Sequence, residues 1–427
     1  MMFRNFRLMS RPLLFFMLNM VVANTAGAMY RSLMPLYVQQ KGASVEEVGL
    51  FFTLSAVAPL LFQLLGGWMS DSLGRLQAVA IGSLGGLLSY AVYLFAPTWG
   101  WLLLASVFGA IAYSFVSPSY QAYVAEQTDE ANLGKVYGLS EAIFTLVGII
   151  GPPLGGFLSE QYGFHTMFLV AGALYGAATV HRVMMALTAR RQEREAVSAG
   201  AAKREKPSLK GLAASLRGLL GLLTAGGVVT WIFISDGLTD IAFNTSYQFE
   251  PLYMQNLYGL TNTQIGWLSS LASVVMILLT GWAGALSDKH GERVGIAGGF
   301  LLIITGLITF LLARSFYGFV LAWLLYGAGS ALIAPAHNSL ISKAVPQKLR
   351  GTAFGLFSTS IGVVALPMPY IGGLLWQHIA PQAPFIVPIF FMTLLLPFVW
   401  TKFRLPRPAE AAAEAAKDTP QAAPLGD

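Results

Sequence analysis

The sequence predicts an all-α membrane protein, twelve transmembrane helices in two pseudo-symmetric six-helix bundles. Three observations predict it: overall apolarity, long runs without charge, and a self-match of one half on the other.

Apolarity comes first. Of 427 residues, 55% are hydrophobic and only 11% charged, with a mean hydropathy of +0.62. A water-soluble globule so composed would lack polar surface, so the solvent is lipid. Residues 76–125 and 351–401 contain no Asp, Glu, Lys or Arg, and each run is long enough for two spans of ~20 residues. Each folds back once, at Ala96-Pro97-Thr98-Trp99-Gly100 and at Gln377-His378-Ile379-Ala380-Pro381, where turn chemistry meets interfacial aromatic or polar residues.

Apolar runs between turn signals give spans 1 to 6 over 12–38, 47–69, 77–96, 99–124, 134–159 and 164–186. Spans 7 to 12 follow over 222–255, 263–286, 294–313, 317–342, 351–375 and 383–402. Arg4, Arg7 and Arg11 before an apolar run, with Ala26-Gly27-Ala28 after it, look superficially like a secretory signal. Apolar residues continue to Val38, however, and the segment has a counterpart in the second half, so span 1 is expected to remain.

Lys and Arg orient the chain, because they are retained on the cytoplasmic side. With both termini inside, only Lys41 and Arg314 fall in external loops, while Arg75, Lys135, Lys289, Arg293, Lys343, Lys348 and Arg350 fall inside. The net charge of +6 is then a topology signal beside anionic headgroups, and no nucleic-acid partner is expected. Residues 1–11 form a cytoplasmic segment, 12–186 the first bundle, 187–221 a basic cytoplasmic linker, 222–402 the second bundle and 403–427 a disordered cytoplasmic tail. The expected location is a bacterial inner membrane, and the expected state a monomer among lipids. Cysteine is absent, so no disulfide, thiolate metal site or thiol nucleophile is available.

Displacing the sequence by 216 or 217 residues superimposes the halves. Pro35-Leu36-Tyr37-Val38-Gln39 falls on Pro251-Leu252-Tyr253-Met254-Gln255, Gly49 on Gly266, Pro118 on Pro335 and Gly138 on Gly355. Within Gly151-Pro152-Pro153-Leu154-Gly155-Gly156, Pro152, Gly155 and Gly156 fall on Pro369, Gly372 and Gly373. The register implies two bundles related by an axis along the membrane normal, with a substrate path between them.

The turn between spans 2 and 3 reads Gly67-Trp68-Met69-Ser70-Asp71-Ser72-Leu73-Gly74-Arg75, and the second half repeats it as Gly284, Asp288, Gly291 and Arg293. In this pattern the chain resembles the major facilitator superfamily, over roughly residues 12–402. Glycines permit the tight turn, and Asp can accept hydrogen bonds from a helix N-terminus. The resemblance implies a cytoplasmic latch in which Asp71 faces Gly351 and Thr352, Arg75 pairs with Glu126, and Asp288 faces Gly134 and Lys135. A solvated turn without a gating role is the alternative.

Ionisable groups within spans cost ~2.5 to 3.5 kcal/mol at a helix centre, which makes each a functional candidate. Arg31 lies in span 1, Glu141 in span 5, Asp236 and Asp240 in span 7, and Glu250 toward the outer end of span 7. Asp236 and Asp240 are four apart and share a helix face, as would carboxylates that take up a proton between them. In the resembled fold spans 1, 4, 7 and 10 line the central cavity, so Arg31, Asp236 and Asp240 are expected to face it. Asp236 or Asp240 would then be the coupling site, with Arg31 attracting an anion or neutralising a carboxylate; an ion pair that fixes packing is the alternative. Glu141 fits structural pairing and proton carriage equally, and Glu250 is expected at the interface. Asn24, which maps onto Asp240, and Tyr247 are candidate substrate contacts, as are Asn19, Tyr30, Tyr113, Gln121, Asn244, Tyr326, His337 and Asn338.

Gly138, Gly151, Pro152, Gly155 and Gly156 of span 5 resemble the motif of proton-linked antiporters, with Val147 departing from it. The span 4 arginine of drug antiporters would fall near Ala105 and is missing. The expected function is alternating-access transport without a cofactor or metal: proton-coupled efflux of drug-like or amphipathic compounds. Uptake of a polar or anionic solute by a symporter or facilitator is the alternative, and a sensor or scaffold is a remoter one. No nucleophile triad, zinc spacing, phosphate loop or nucleotide fingerprint points to an enzyme.

Overall fold

A computed structural model describes residues 10–129, 132–198, 228–344 and 364–403. Among them, nine helices are long and apolar enough to cross a membrane. One, Leu133–Ser198, bends at Gly163 (φ 81°) and carries spans 5 and 6. It continues past the sequence-predicted end of span 6 because its Ala, Arg, Glu and Gln favour helix even without an apolar face. The remainder of the linker from residue 199, the tail from residue 404 and residues 1–9 lie outside the described residues.

Spans 1 and 7 are each broken where the sequence suggested continuous helix. Span 1 comprises Arg11–Arg31 and Met34–Gln40, and span 7 comprises Val228–Asn244, a 3-10 turn Tyr247–Phe249 and Glu250–Tyr258. The cause is Pro35 and Pro251: neither can donate to a preceding turn, so each sits in the first turn of a new helix. Span 11 includes the helix Met368–His378, and its residues 351–363 lie outside the described residues.

The repeat is structural. Ser44 with Glu47 and Thr261 with Gln264 form equivalent capping boxes opening spans 2 and 8. Gly74 (φ 105°) and Gly291 (φ 94°) turn the chain at the ends of those spans in a conformation that side-chain-bearing residues avoid. Aromatic plugs also correspond. Tyr37 packs on Phe168 at 4.7 Å and Tyr93 on Phe168 at 5.0 Å, while Tyr253 packs on Phe385 at 5.1 Å and Phe310 on Phe385 at 4.9 Å.

The two halves meet at the face opposite Arg11 and Lys402, the far face. There the repeat glycines let backbones touch in reciprocal pairs. A methyl on Gly49 would collide with Pro369 and one on Gly266 with Pro152; likewise Gly156 abuts Asn262 and Gly373 abuts Glu46. Within each half, Gly155 lies against the Met29 carbonyl and Gly372 against that of Thr245. Gly151 meets Ala28. Hydrogen bonds seal the seam: Ser270 Oγ donates to the Ile149 carbonyl at 2.7 Å, the Thr263 amide to Glu160 at 2.9 Å, and the Tyr370 hydroxyl to Glu46 at 3.1 Å. Gln39 accepts from Asn256 Nδ2 at 3.2 Å. Toward the face carrying Arg11 and Lys402, the terminal face, the described hydrogen bonds and ion pairs stay within one half.

Candidate functional site

On the terminal face each half carries a charged staple. Arg75 donates to Asp71, to Ser70 Oγ at 3.0 Å and to Glu126 at 2.9 Å. In the second half the staple runs from Glu292, which accepts from Lys343 at 2.5 Å and from Ser339 at 2.9 Å. Because Gly74 corresponds to Gly291, the counterpart of Arg75 is Glu292, with the charges of the pair reversed. Arg293, assigned from the sequence to that place, instead lies over the Trp400 ring at 4.8 Å. The motif glycines Gly67 and Gly284 lie within the preceding helices. Gly351 and Thr352, the expected partners of Asp71, are outside the described residues. Asp288 is exposed, and Lys135 donates to Asn132 at 3.2 Å.

A cavity of about 610 Å³ lies in the first half, toward the terminal face. Asn24, Tyr30, Tyr113, Gln121 and Glu141 line it, together with Arg182 of span 6. Its aromatic wall is a connected cluster, with Tyr30 5.9 Å from Tyr90 and Tyr90 5.1 Å from Tyr175. Arg182 is 2% exposed. Its Nε donates to Asn19 Oδ1 at 2.6 Å, Nη1 to Ser83 Oγ at 2.8 Å, and Nη2 meets Met20 Sδ at 2.9 Å. Asn19 is pinned in turn by donating to the Ala178 carbonyl at 2.8 Å. Sequence reasoning passed over Arg182 because it lies near the end of its span; the signal was a guanidinium inside the 164–186 apolar run.

In the second half, Asp236 Oδ2 lies 2.7 Å from His337 Nε2 across spans 7 and 10. Asp240 lies one turn further along and is exposed, and its carbonyl accepts from Asn244 Nδ2 at 2.8 Å. Arg31 is not brought to either aspartate. It lines a separate cavity of about 300 Å³ at the seam, with Tyr247, Gln248 and Glu250. The break after Arg31 redirects the chain there. Glu250 opens a helix between this cavity and the Phe310–Trp323–Tyr326 wall, an interior position rather than an interfacial one.

The sequence profile of the Major Facilitator Superfamily matches residues 16–246 and 232–425. The chain belongs to this superfamily. It is therefore an integral, multi-pass membrane transporter of the major facilitator fold. It is 24% identical over 380 residues to a multi-drug resistance efflux pump PmrA homolog of Lactococcus lactis, covering 87% of this chain and 89% of that one. It is 26% identical over 371 residues to the quinolone resistance protein NorA of Staphylococcus aureus, covering 83% and 87%. An uncharacterised MFS-type transporter of Methanocaldococcus jannaschii is 28% identical over 332 residues, covering 78% and 82%. Among solved structures, a POT family transporter in complex with 5-aminolevulinic acid superimposes with TM-score 0.68 at 14% identity, over 91% of this chain and 94% of that one. The human organic anion transporter MFSD10 does so with TM-score 0.62 at 17% identity, over 91% and 98%. At these identities the structural likenesses speak to fold alone.

Proposed function

We propose that this transporter is a proton-coupled exporter of small amphipathic molecules, working by alternating access between its halves. The observation that carries the reading is the cavity of about 610 Å³ that combines tyrosines with Asn24, Gln121, Glu141 and Arg182. It lies on the terminal-face side of a molecule whose far face is sealed. Such a wall accepts a flat apolar body and a few polar groups, which is how a site binds amphipathic compounds. Relatives named as multidrug efflux pumps support the same substrate class.

In this reading the terminal face is cytoplasmic, as the Lys and Arg distribution favours, and the membrane is a bacterial inner membrane. Bundles 12–186 and 222–402 rock as units joined by the 187–221 linker, and the chain works as a monomer in lipid without covalent chemistry. Asp236, held by His337, and Asp240 one turn away carry the coupling proton. The Arg75–Glu126 and Glu292–Lys343 staples keep each terminal-face end rigid as the bundles rock.

Proteoliposomes with an imposed pH gradient test the proposal. An amphipathic dye should move against the proton flux. Movement with the protons would make the protein a symporter, and no response to the gradient would refute coupling.

A further inference from the structure

Arg182 is the one cationic side chain among the described residues that line the large cavity. Its described hydrogen-bond partners, Asn19, Ser83, Met20 and the Tyr175 side chain, are all neutral, and the Tyr175 ring stands 5.8 Å from its guanidinium carbon. No carboxylate among the described residues pairs with it. Arg remains charged in proteins, and a charge removed from water costs several kcal/mol that neutral hydrogen bonds offset only in part. The neutral scaffold from spans 1 and 3 fixes the orientation of the guanidinium and leaves its charge uncompensated at the cavity wall.

We infer that Arg182 is an anion-recognition site, so that this cavity takes amphipathic molecules bearing a carboxylate or equivalent anionic group beside an aromatic body. The inference rests on the proposal that this cavity is the substrate site, and it adds the charge of the ligand. Tyr30 and Tyr90 of the same wall would contact the aromatic body, and Glu141, which also lines the cavity, offers a complement for a cationic group on the same ligand.

The test uses the full-length wild-type protein purified in neutral detergent, with 2-naphthoate and 2-naphthamide as a matched pair titrated by calorimetry. The naphthoate should bind about tenfold tighter or more, the range of a charge-assisted hydrogen bond. Arg182→Gln should collapse that ratio toward unity, and Arg182→Lys should keep part of it. Equal binding of the pair to the wild type would overturn the inference without any variant, as would a ratio unchanged in Arg182→Gln. Displacement of naphthoate by phosphatidylglycerol at equal concentration would also overturn it, by assigning the anion to a lipid headgroup. The readout is equilibrium binding, so failure of proton-driven export in proteoliposomes would refute the proposed function while leaving this selectivity to be judged by itself.

Discussion

Gly156→Ala tests whether the far-face seam is a shape-limited switch. A methyl group there would lie 2.5 Å from the Asn262 carbonyl oxygen and 2.9 Å from Thr263 Cα, both backbone atoms of the other half. Against an ordinary contact of 3.4 Å, the first distance is short by 3.4 − 2.5, about 0.9 Å. Neither backbone can yield by rotating a side chain, so the halves must part. Overpacking of this kind costs about 1–3 kcal/mol. That cost falls only on the conformation with the far face closed, which shifts the balance toward the opposite one by about 5- to 150-fold.

Because the chain contains no cysteine, Ser273→Cys in the seam cavity supplies a single maleimide target. Its labelling from the far face should rise by that factor in Gly156→Ala. The repeat mate Gly373→Ala, whose methyl would lie 2.9 Å from Glu46 Cα, should do the same. Gly138→Ala should change nothing, because among the described residues no atom of another element lies within 4 Å of its added methyl. Unchanged labelling in both Gly156→Ala and Gly373→Ala would refute the reasoning.

Other predictions concern charge. Asp236→Asn keeps the volume and a hydrogen bond to His337 but cannot carry a proton, so gradient-driven transport should fall to background while substrate binding persists; retention of both would exclude Asp236 from coupling. Lys343→Met removes the cation from Glu292, whose side chain is 7% exposed and keeps Ser339 as donor, and should destabilise by about 1–3 kcal/mol, toward the lower end because Lys343 itself is 55% exposed. Glu126→Gln, at a carboxylate 39% exposed, should cost under about 1 kcal/mol. Thermal unfolding in detergent should rank them in that order, and the double exchange Glu292→Lys with Lys343→Glu should recover part of the loss.

The repeat was legible in the sequence because Gly and Pro serve backbone geometry, which leaves few substitutes: Gly49, Gly156, Gly266 and Gly373 are where main chains of the two halves touch. The pairing of Arg75 with Glu126 was implied by the resemblance of the turn after span 2 to the family motif, and the two are in contact. Arg293 was placed in the second motif because charge type was followed across the repeat. The backbone turn at Gly291 fixes the register at Glu292, and the pair conserves complementarity with the signs exchanged. Arg31 was expected to face one central cavity with Asp236 and Asp240; the turns ahead of Pro35 and Pro251 break spans 1 and 7, and Arg31 lines the seam cavity instead. Arg182 and the Asp236–His337 contact join elements far apart in sequence, and one-dimensional periodicity carries no information about which helices become neighbours.

Alternating access is tested most directly by two spin-label pairs in the cysteine-free chain, followed as substrate and pH are varied. One pair replaces Gln39 and Asn256, which touch across the far-face seam, and the other replaces Leu73 and His290, the repeat-related residues closing spans 2 and 8 on the terminal face. The account predicts opposite changes, the far-face distance lengthening as the terminal-face distance shortens. Two distances that lengthen together, or stay fixed while transport proceeds, would contradict it.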